Sequence, residues 1–490
     1  MRSAVFGFVL FAVAILGGGC SGQEPPSKTA ISGQTKFSKS LPSEEPSPAP
    51  LLQATAGPAI DRPSKPGEDW PVFLGPRGDS TSTETGVDPA LWKPHPPIKW
   101  TLPLGVSYGA PVVVGEKLLL LDRHENVERL SCFQTSDGQE LWRQESPVDY
   151  RDMYGYNNGP RCCPIVDGDR VYTYGVAGQL SCVRFEDGEL VWSKNLNQEY
   201  GVIQNFFGVA SAPFVYGDSI LVMVGGSPAD TVGRVDFAEP NGTAIVAFDK
   251  MSGKEKYRLG DDLASYSSMT VRKIEGKDTG LAFLRGGLIA FEPKTGKQLF
   301  DFPWRAEMLE SVNAAQPVVF GDQILLSETY EIGSVLLNVQ GGKAQVLRKD
   351  EGNYRELTFR AHWSTPVLID GYLYGCSGRN RPDCDFRCVR WSDGEVQWFA
   401  RKRERSSVLV VDGYLIVLGE LGTLELIRPT TEKLDVIASA DLSQVLAPGT
   451  KEALLKYPCW AAPVLAHGQL YLRGQNRLIC LNLIPAEESP

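Results

Sequence analysis

Two short runs of alternating apolar and polar residues, joined by a tight polar turn, recur along this chain. In residues 130–142, the turn Ser136-Asp137-Gly138 leads into a second run that ends in Trp142. In every full copy, a Gly lies four residues before the terminal aromatic, and Asp, Ser or Thr precedes that Gly. Such a Gly supplies the positive φ of a hairpin turn, and the short polar residue caps the turn. The full copies occupy residues 130–142, 180–192, 245–257, 288–300 and 386–398.

A second pattern precedes each hairpin: an apolar strand, a turn that contains Gly, and another apolar strand. Its eight copies are separated by 42 to 56 residues, and six of them begin with Pro. The hairpins of the fifth and seventh units, residues 335–346 and 424–436, lack the terminal aromatic. The copies begin at Pro111, Pro164, Pro213, Met269, Pro317, Pro366, Val408 and Pro463.

Four strands in each unit of about 50 residues, without helical periodicity, are typical of a β-propeller. The sequence therefore predicts an all-β, eight-bladed propeller of four-stranded antiparallel blades over residues 98–485. The last unit has only three strands, whereas residues 98–102 form an outer strand without a unit of its own. Trp100 in that strand occupies the place that Trp142 has in its repeat, so we expect the N-terminal strand to close the ring.

The terminal aromatics share one register, which fixes their face and height on the outer strand. We therefore expect them to dock against the neighbouring blade. These docking residues are Trp100, Trp142, Trp192, Tyr257, Phe300 and Trp398.

The N-terminal region has the composition of an export signal and a tether. An uncharged apolar run follows Arg2 and leads to small residues and Cys20, which predicts a signal peptide of lipoprotein type over residues 1–20, lipidated at Cys20. A plain secretory signal with an incidental Cys is the alternative. Residues 21–68 are rich in Pro and Ser and predict a disordered tether. Residues 69–97 regain aromatics and are expected to pack on the propeller.

The charge of the chain bears on its partners. The 490 residues carry a net charge of −10. Binding to nucleic acid phosphates needs clustered Lys and Arg, so the sequence argues against a nucleic acid partner.

The hairpin with Asp-Gly or Thr-Gly and a Trp four residues later resembles the tryptophan-docking repeat of the PQQ-like propeller family. That family includes quinoprotein alcohol dehydrogenases and the outer-membrane assembly lipoprotein BamB. The signal with its Cys, the tether and the eight blades together resemble BamB most. The resemblance implies a monomeric, non-catalytic scaffold on the periplasmic side of a bacterial membrane, which binds other envelope proteins.

The quinoprotein members of the family imply an alternative, a ligand-binding or PQQ-dependent oxidoreductase propeller. They hold PQQ over the axis with Ca²⁺, an Asp base and a vicinal disulfide. Cys162-Cys163 matches the last feature, but the starts of the inner strands lack carboxylates, so we expect no cofactor and no metal site. These strand starts do supply candidate ligand-binding residues at the axial mouth: Tyr108, Asn158, Arg161, Cys162, Cys163, Tyr266, Asn313, His362, Trp363 and Trp460. They could instead fill the channel and hydrogen-bond one another.

The cysteines fall into separate classes. Cys162 and Cys163 suggest a vicinal disulfide, and Cys376 and Cys384, which flank residues 377–383, suggest a second one in an exported protein. Four further cysteines share one position on the third strand of their repeats, which indicates a small buried core site. These are Cys132, Cys182, Cys388 and Cys480.

Overall fold

Short strands joined by glycine turns assemble into eight four-stranded antiparallel sheets in the computed structural model, which describes residues 67–202, 206–228 and 238–485. This arrangement confirms the predicted eight-bladed β-propeller. The predicted signal peptide with Cys20, and all but the last two residues of the predicted tether, lie outside the described residues.

The strands follow the chain in order, four to a blade. The strand β1 (Ile98–Pro103) comes first. Blades one to four are β2 (Val112–Val114), β3 (Lys117–His124), β4 (Val127–Gln134), β5 (Glu140–Pro147); β6 (Ile165–Asp167), β7 (Arg170–Tyr174), β8 (Gln179–Arg184), β9 (Leu190–Asn195); β10 (Phe214–Tyr216), β11 (Ser219–Met223), β12 (Ile245–Asp249), β13 (Glu255–Leu259); β14 (Thr270–Ile274), β15 (Lys277–Phe283), β16 (Gly287–Phe291), β17 (Gln298–Pro303).

Blades five to eight complete the ring. They are β18 (Val318–Phe320), β19 (Gln323–Glu328), β20 (Gly333–Gln340), β21 (Lys343–Lys349); β22 (Val367–Ile369), β23 (Tyr372–Ser377), β24 (Asp385–Arg390), β25 (Val396–Arg401); β26 (Ser406–Val411), β27 (Tyr414–Gly419), β28 (Thr423–Arg428), β29 (Asp435–Asp441); β30 (Val464–Ala466), β31 (Gln469–Arg473), β32 (Arg477–Asn482), β1. The helices are short: α1 (Leu196–Tyr200) and 3₁₀ turns at Pro89–Leu91 and Tyr354–Glu356. Within the described ranges, no helix is long and apolar enough to cross a membrane.

The eighth blade is closed by the N-terminal strand, as the sequence predicts. β1 pairs antiparallel with β32, and Trp100 lies opposite Cys480. Trp142 and Trp192 have the same kind of partner, because they lie opposite Cys132 and Cys182. Trp100 therefore occupies the same place in blade eight as the other docking aromatics do in theirs.

Each of four docking aromatics lies on the hairpin glycine of the next blade. A Cβ added to Gly253 in blade three would come within 2.8 Å of the Trp192 ring, and one on Gly138 would contact Trp100. The Trp192 indole also donates a 3.1 Å hydrogen bond to the carbonyl of Lys250, just before the glycine turn. A Cβ added to Gly188 would likewise meet the ring of Trp142, and one added to Gly296 would meet the ring of Tyr257.

Blade five has no aromatic at the docking position, and an arginine takes the place. The guanidinium of Arg348, on β21, lies where a Cβ on Gly394 of blade six would be. Val346, which has the sequence position of the missing aromatic, is instead 50% exposed. The small residue opposite each docking ring is always buried: Cys132, Cys182, Ala247, Ala290, Cys388 and Cys480.

The inner strands all start on one face of the ring. Residues 68–87 cross the other face. Trp70 exchanges two backbone hydrogen bonds with Val113 of blade one, at 2.7 and 2.9 Å. The N–H of Val166 in blade two donates to the carbonyl of Pro71, and the N–H of Val410 in blade seven donates to that of Ser80. We call these residues the plug segment, because they join blades across the axis.

Glycine docking predicts unequal costs for two Gly→Ala changes in blade three. Gly217 and Gly253 both have positive φ, at 59° and 69°, but a Cβ on Gly217 would have no atom within 4 Å. Gly217→Ala should lower the free energy of unfolding by about 1–2 kcal/mol, the usual cost of this backbone region. Gly253→Ala should cost about 1–3 kcal/mol more, because its methyl group meets Trp192. Urea unfolding measures both, and equal losses would contradict docking.

Closure predicts a large effect of Trp100→Ala. Trp100 is buried, contacts Tyr471 at 5.9 Å between ring centroids and donates to the Thr135 carbonyl of blade one. The change should lower the free energy of unfolding by about 3–5 kcal/mol. Leu141→Ala, on an outer strand and 44% exposed, is the control and should change it little. A thermal midpoint that is unchanged in both variants would count against closure through Trp100.

Candidate functional site

The starts of the inner strands and the turns between second and third strands meet on one face of the ring, around its axis. They surround a cavity of about 420 Å³, which we call the axial cavity. The plug segment forms its floor through Phe73, Leu74 and Ser80. At the other end, Tyr156 and Tyr457 line the cavity and are 59% and 47% exposed, so the cavity opens to solvent there.

Eight of the ten candidate ligand-binding residues line this cavity. They are Tyr108, Arg161, Cys162, Cys163, Tyr266, His362, Trp363 and Trp460. The other two lie outside the lining. The Asn158 side chain accepts a hydrogen bond from the Asp152 backbone, and Asn313 is buried and donates to the carbonyls of Leu284 and Trp304. Both asparagines therefore hold loops in place.

Aromatic rings form one wall. The Trp460 ring lies 4.8 Å from that of Tyr108 and 5.2 Å from that of Trp363, centroid to centroid. Arg405 lies over both indoles, at 4.5 Å from Trp363 and 5.1 Å from Trp460. Flat apolar surfaces of this kind bind planar ligands.

Carboxylates lie behind the lining and hold two of its arginines. Asp152 accepts a 2.7 Å hydrogen bond from Arg161, and Glu420 accepts hydrogen bonds from Arg405 and from the Trp460 indole. These contacts fix the positions of Arg161 and Arg405 and neutralise their charges.

His362 is neutral in this setting. Burial, together with the charges of Arg405 and Arg379, lowers the pKa of His362 from 6.5 to about 3. Its Nε2 lies 3.3 Å from the Tyr330 hydroxyl, and its ring packs edge-on against that of Tyr330. His362 therefore supplies a polar but uncharged surface at neutral pH.

The cysteines of the cavity are buried thiols. Burial raises the pKa of Cys163 to about 12 and that of Cys162 well above its usual value, and the Cys162 thiol donates to the Ser211 carbonyl at 3.3 Å. The sulfur atoms of Cys376 and Cys384 lie 3.8 Å apart, also as thiols. Both disulfides stay predictions of the sequence.

The turns between second and third strands add lining residues that sequence reasoning missed. Among them are Tyr330 and Arg379, whose guanidinium lies 4.5 Å from the Tyr330 ring. Arg405, just before an inner strand, was missed as well. A propeller brings both kinds of segment to one face, so extending the search from the strand starts to these turns would have found them.

The lining does not match the groups that hold PQQ with Ca²⁺. Asp152 and Glu420 are each bound to an arginine, and no acidic side chain lines the cavity within the described ranges. The described residues also include no group of three or more His, Cys, Asp or Glu placed to hold a metal ion. No step of catalysis through PQQ can be derived from these residues.

The model of the family described as outer membrane protein assembly factor BamB matches residues 126–357 and 242–433. Together these matches span more than half of the chain. The chain belongs to this family. BamB from Moraxella catarrhalis is a structural neighbour, with a TM-score of 0.52 and 12% identity over 78% of this chain and 95% of that one.

Two further proteins are similar to this chain. Quinohemoprotein alcohol dehydrogenase from Comamonas testosteroni has a TM-score of 0.56 and 11% identity, over 86% of this chain and 81% of that one. An uncharacterized protein of Rickettsia prowazekii (strain Madrid E) is 20% identical over 287 residues, which are 56% of this chain and 61% of the relative. The chain thus spans about three fifths of that relative. At such low identity, the two structural neighbours show the fold alone.

Burial of Glu328 predicts a dependence of stability on pH. Burial raises the pKa of Glu328 from 4.5 to about 7, although Ser311 and the N–H of Tyr330 donate to its carboxylate. As pH rises from 4.5 to 7, the unfolded chain loses a proton that the folded one retains, so the free energy of unfolding falls. Glu328→Gln should remove up to about 3 kcal/mol of this loss. Glu331→Gln, at an exposed position nearby, should leave the loss of stability with pH unchanged. Parallel pH profiles of the free energy of unfolding for wild type and Glu328→Gln would refute the assignment.

Proposed function

We propose that this protein is an exported, non-catalytic propeller of the cell envelope that binds a small planar ligand in the axial cavity. One observation carries the proposal: the channel is not filled by its own side chains. At about 420 Å³, the cavity has the size of small-molecule sites, which span roughly 300–1,000 Å³.

The shape of the cavity supports a ligand site rather than a passage. The plug segment closes one end with Phe73 and Leu74, whereas the other end is open beside Tyr156 and Tyr457. A ligand can therefore enter from one face only. Its body would lie against the indoles of Trp363 and Trp460, and polar groups of fixed position surround it.

Family membership and the N-terminal sequence support an envelope location. The family is named for an outer membrane protein assembly factor. The predicted signal peptide and the lipid anchor at Cys20 belong to this proposal, and a lipid on Cys20 would tether the propeller to the membrane through residues 21–68.

A second function, a protein-interaction scaffold, is favoured by the exposed rim of the cavity mouth. Met153, Tyr154 and Tyr156 lie in one loop and are 59%, 50% and 59% exposed. Large exposed apolar side chains grouped in one loop are typical of interaction sites. The partners would be other envelope proteins, bound by a monomeric propeller.

The lining argues against an enzyme. A general base needs a carboxylate or another proton acceptor that is free to reach the substrate. Asp152 and Glu420 are bound to arginines, and burial holds the thiols of Cys162 and Cys163 in the protonated form. The arrangement suits binding and orientation of a ligand better than chemistry on it.

Filling the cavity tests the proposed ligand site. The full-length protein, purified from its own membrane, should retain a small molecule that native mass spectrometry detects. Ala314→Phe places a ring in the lining and should abolish that mass, whereas Ala90→Phe, at an exposed position, should leave it. If the protein carries no added mass, or if Ala314→Phe retains it, the ligand site is wrong.

A further inference from the structure

The axial cavity is lined by three arginines, Arg161, Arg379 and Arg405. Within the described residues, no carboxylate lines it. Such a lining favours an anion. How many negative charges the ligand carries depends on which arginines already have a partner.

Arg161 and Arg405 are both engaged. Arg161 donates to the Asp152 carboxylate at 2.7 Å and to the carbonyls of Gly159 and Asn157. Arg405 donates to both oxygens of Glu420 and, at 3.2 Å, to the carbonyl of Arg379. Each pair of opposite charges is nearly neutral to a ligand.

Arg379 differs from both. Its guanidinium lies on the Tyr330 ring, and among the described residues no guanidinium N–H of Arg379 has a hydrogen-bond acceptor. Asp383, in the same loop, is taken up by other groups: it accepts hydrogen bonds from Arg360, from the Tyr354 hydroxyl and from the backbone N–H of Arg379. Among the described residues, the lining thus presents one guanidinium that no carboxylate contacts directly, although Glu328 interacts with its charge from behind the lining.

We propose that Arg379 binds the carboxylate of an aromatic monocarboxylic acid in the axial cavity. This inference rests on the proposed ligand site and names the class of its ligand. A guanidinium matches a carboxylate with two parallel hydrogen bonds, and stacking on Tyr330 holds its plane. The aromatic body then lies against Trp363 and Trp460. One unmatched cation balances one negative charge, which distinguishes this ligand from the tricarboxylic acid PQQ.

The test compares 2-naphthoate with its uncharged amide, 2-naphthamide, by calorimetry and by quenching of Trp fluorescence. The wild-type protein, freed of any retained molecule, should bind naphthoate at least about tenfold more tightly, because a charge-assisted hydrogen bond contributes that much. Arg379→Met should abolish the preference, because naphthoate then loses a charge-assisted pair whereas naphthamide loses at most a neutral hydrogen bond. Arg381→Met removes the same charge from the same loop outside the lining and should retain the preference.

Two outcomes would overturn the proposal. If the wild-type protein binds both probes equally and Ala314→Phe abolishes both, the ligand site stands but the anion assignment is wrong. If neither probe binds, the monocarboxylate class is wrong, and the native mass measurement still decides on the ligand site itself. Should Arg379→Met not fold, Arg379→Lys retains the charge without the planar fork and should reduce the preference for naphthoate.

Discussion

A ring of blades has to close, and here one pair of antiparallel strands closes it. β1 joins β32 with Trp100 opposite Cys480, so the first strand of the propeller belongs to its last blade. The outer strand of each blade starts on the face of the ring that carries the hairpin turns between third and fourth strands, and it ends on the face where the axial cavity opens. The chain before Ile98 must therefore emerge on the face opposite the mouth. The plug segment and the closed floor of the axial cavity depend on this geometry.

The docking of rings on glycines gives a physical reason for the spacing that recurs among the blades of this chain. Where a ring lies this close to the next hairpin turn, that position has to lack a Cβ, and the turn needs a positive φ, so one glycine satisfies both. Where blade five lacks the ring, Arg348 covers Gly394 with a flat guanidinium instead. At five interfaces between blades a flat group lies on a glycine, whereas Trp398 instead donates to the Thr430 carbonyl of a turn that has no glycine. The loops at the mouth are then free to carry other chemistry.

The sequence predicts the ring well because the repeat is local. Gly253 and Tyr257 lie four residues apart, and five full copies carry the same spacing along the chain. The site is harder to predict, because its parts come from distant segments. Phe73 reaches the floor from the N-terminal region, and Arg379 reaches the wall from a turn in blade six. Asn313 lies at a strand start like its neighbours, yet its amide is bound to backbone carbonyls, which only packing decides.

Family membership limits the fold more than it limits the ligand. The same ring underlies BamB and a quinohemoprotein dehydrogenase, so function has to be argued from the lining. Here the charges behind the lining matter as much as those within it. Asp152 and Glu420 neutralise two arginines that would otherwise attract a polyanion. Because His362 is neutral as well, the proposed selectivity of the cavity for a monocarboxylate rests on Arg379, a residue in the turn between β23 and β24.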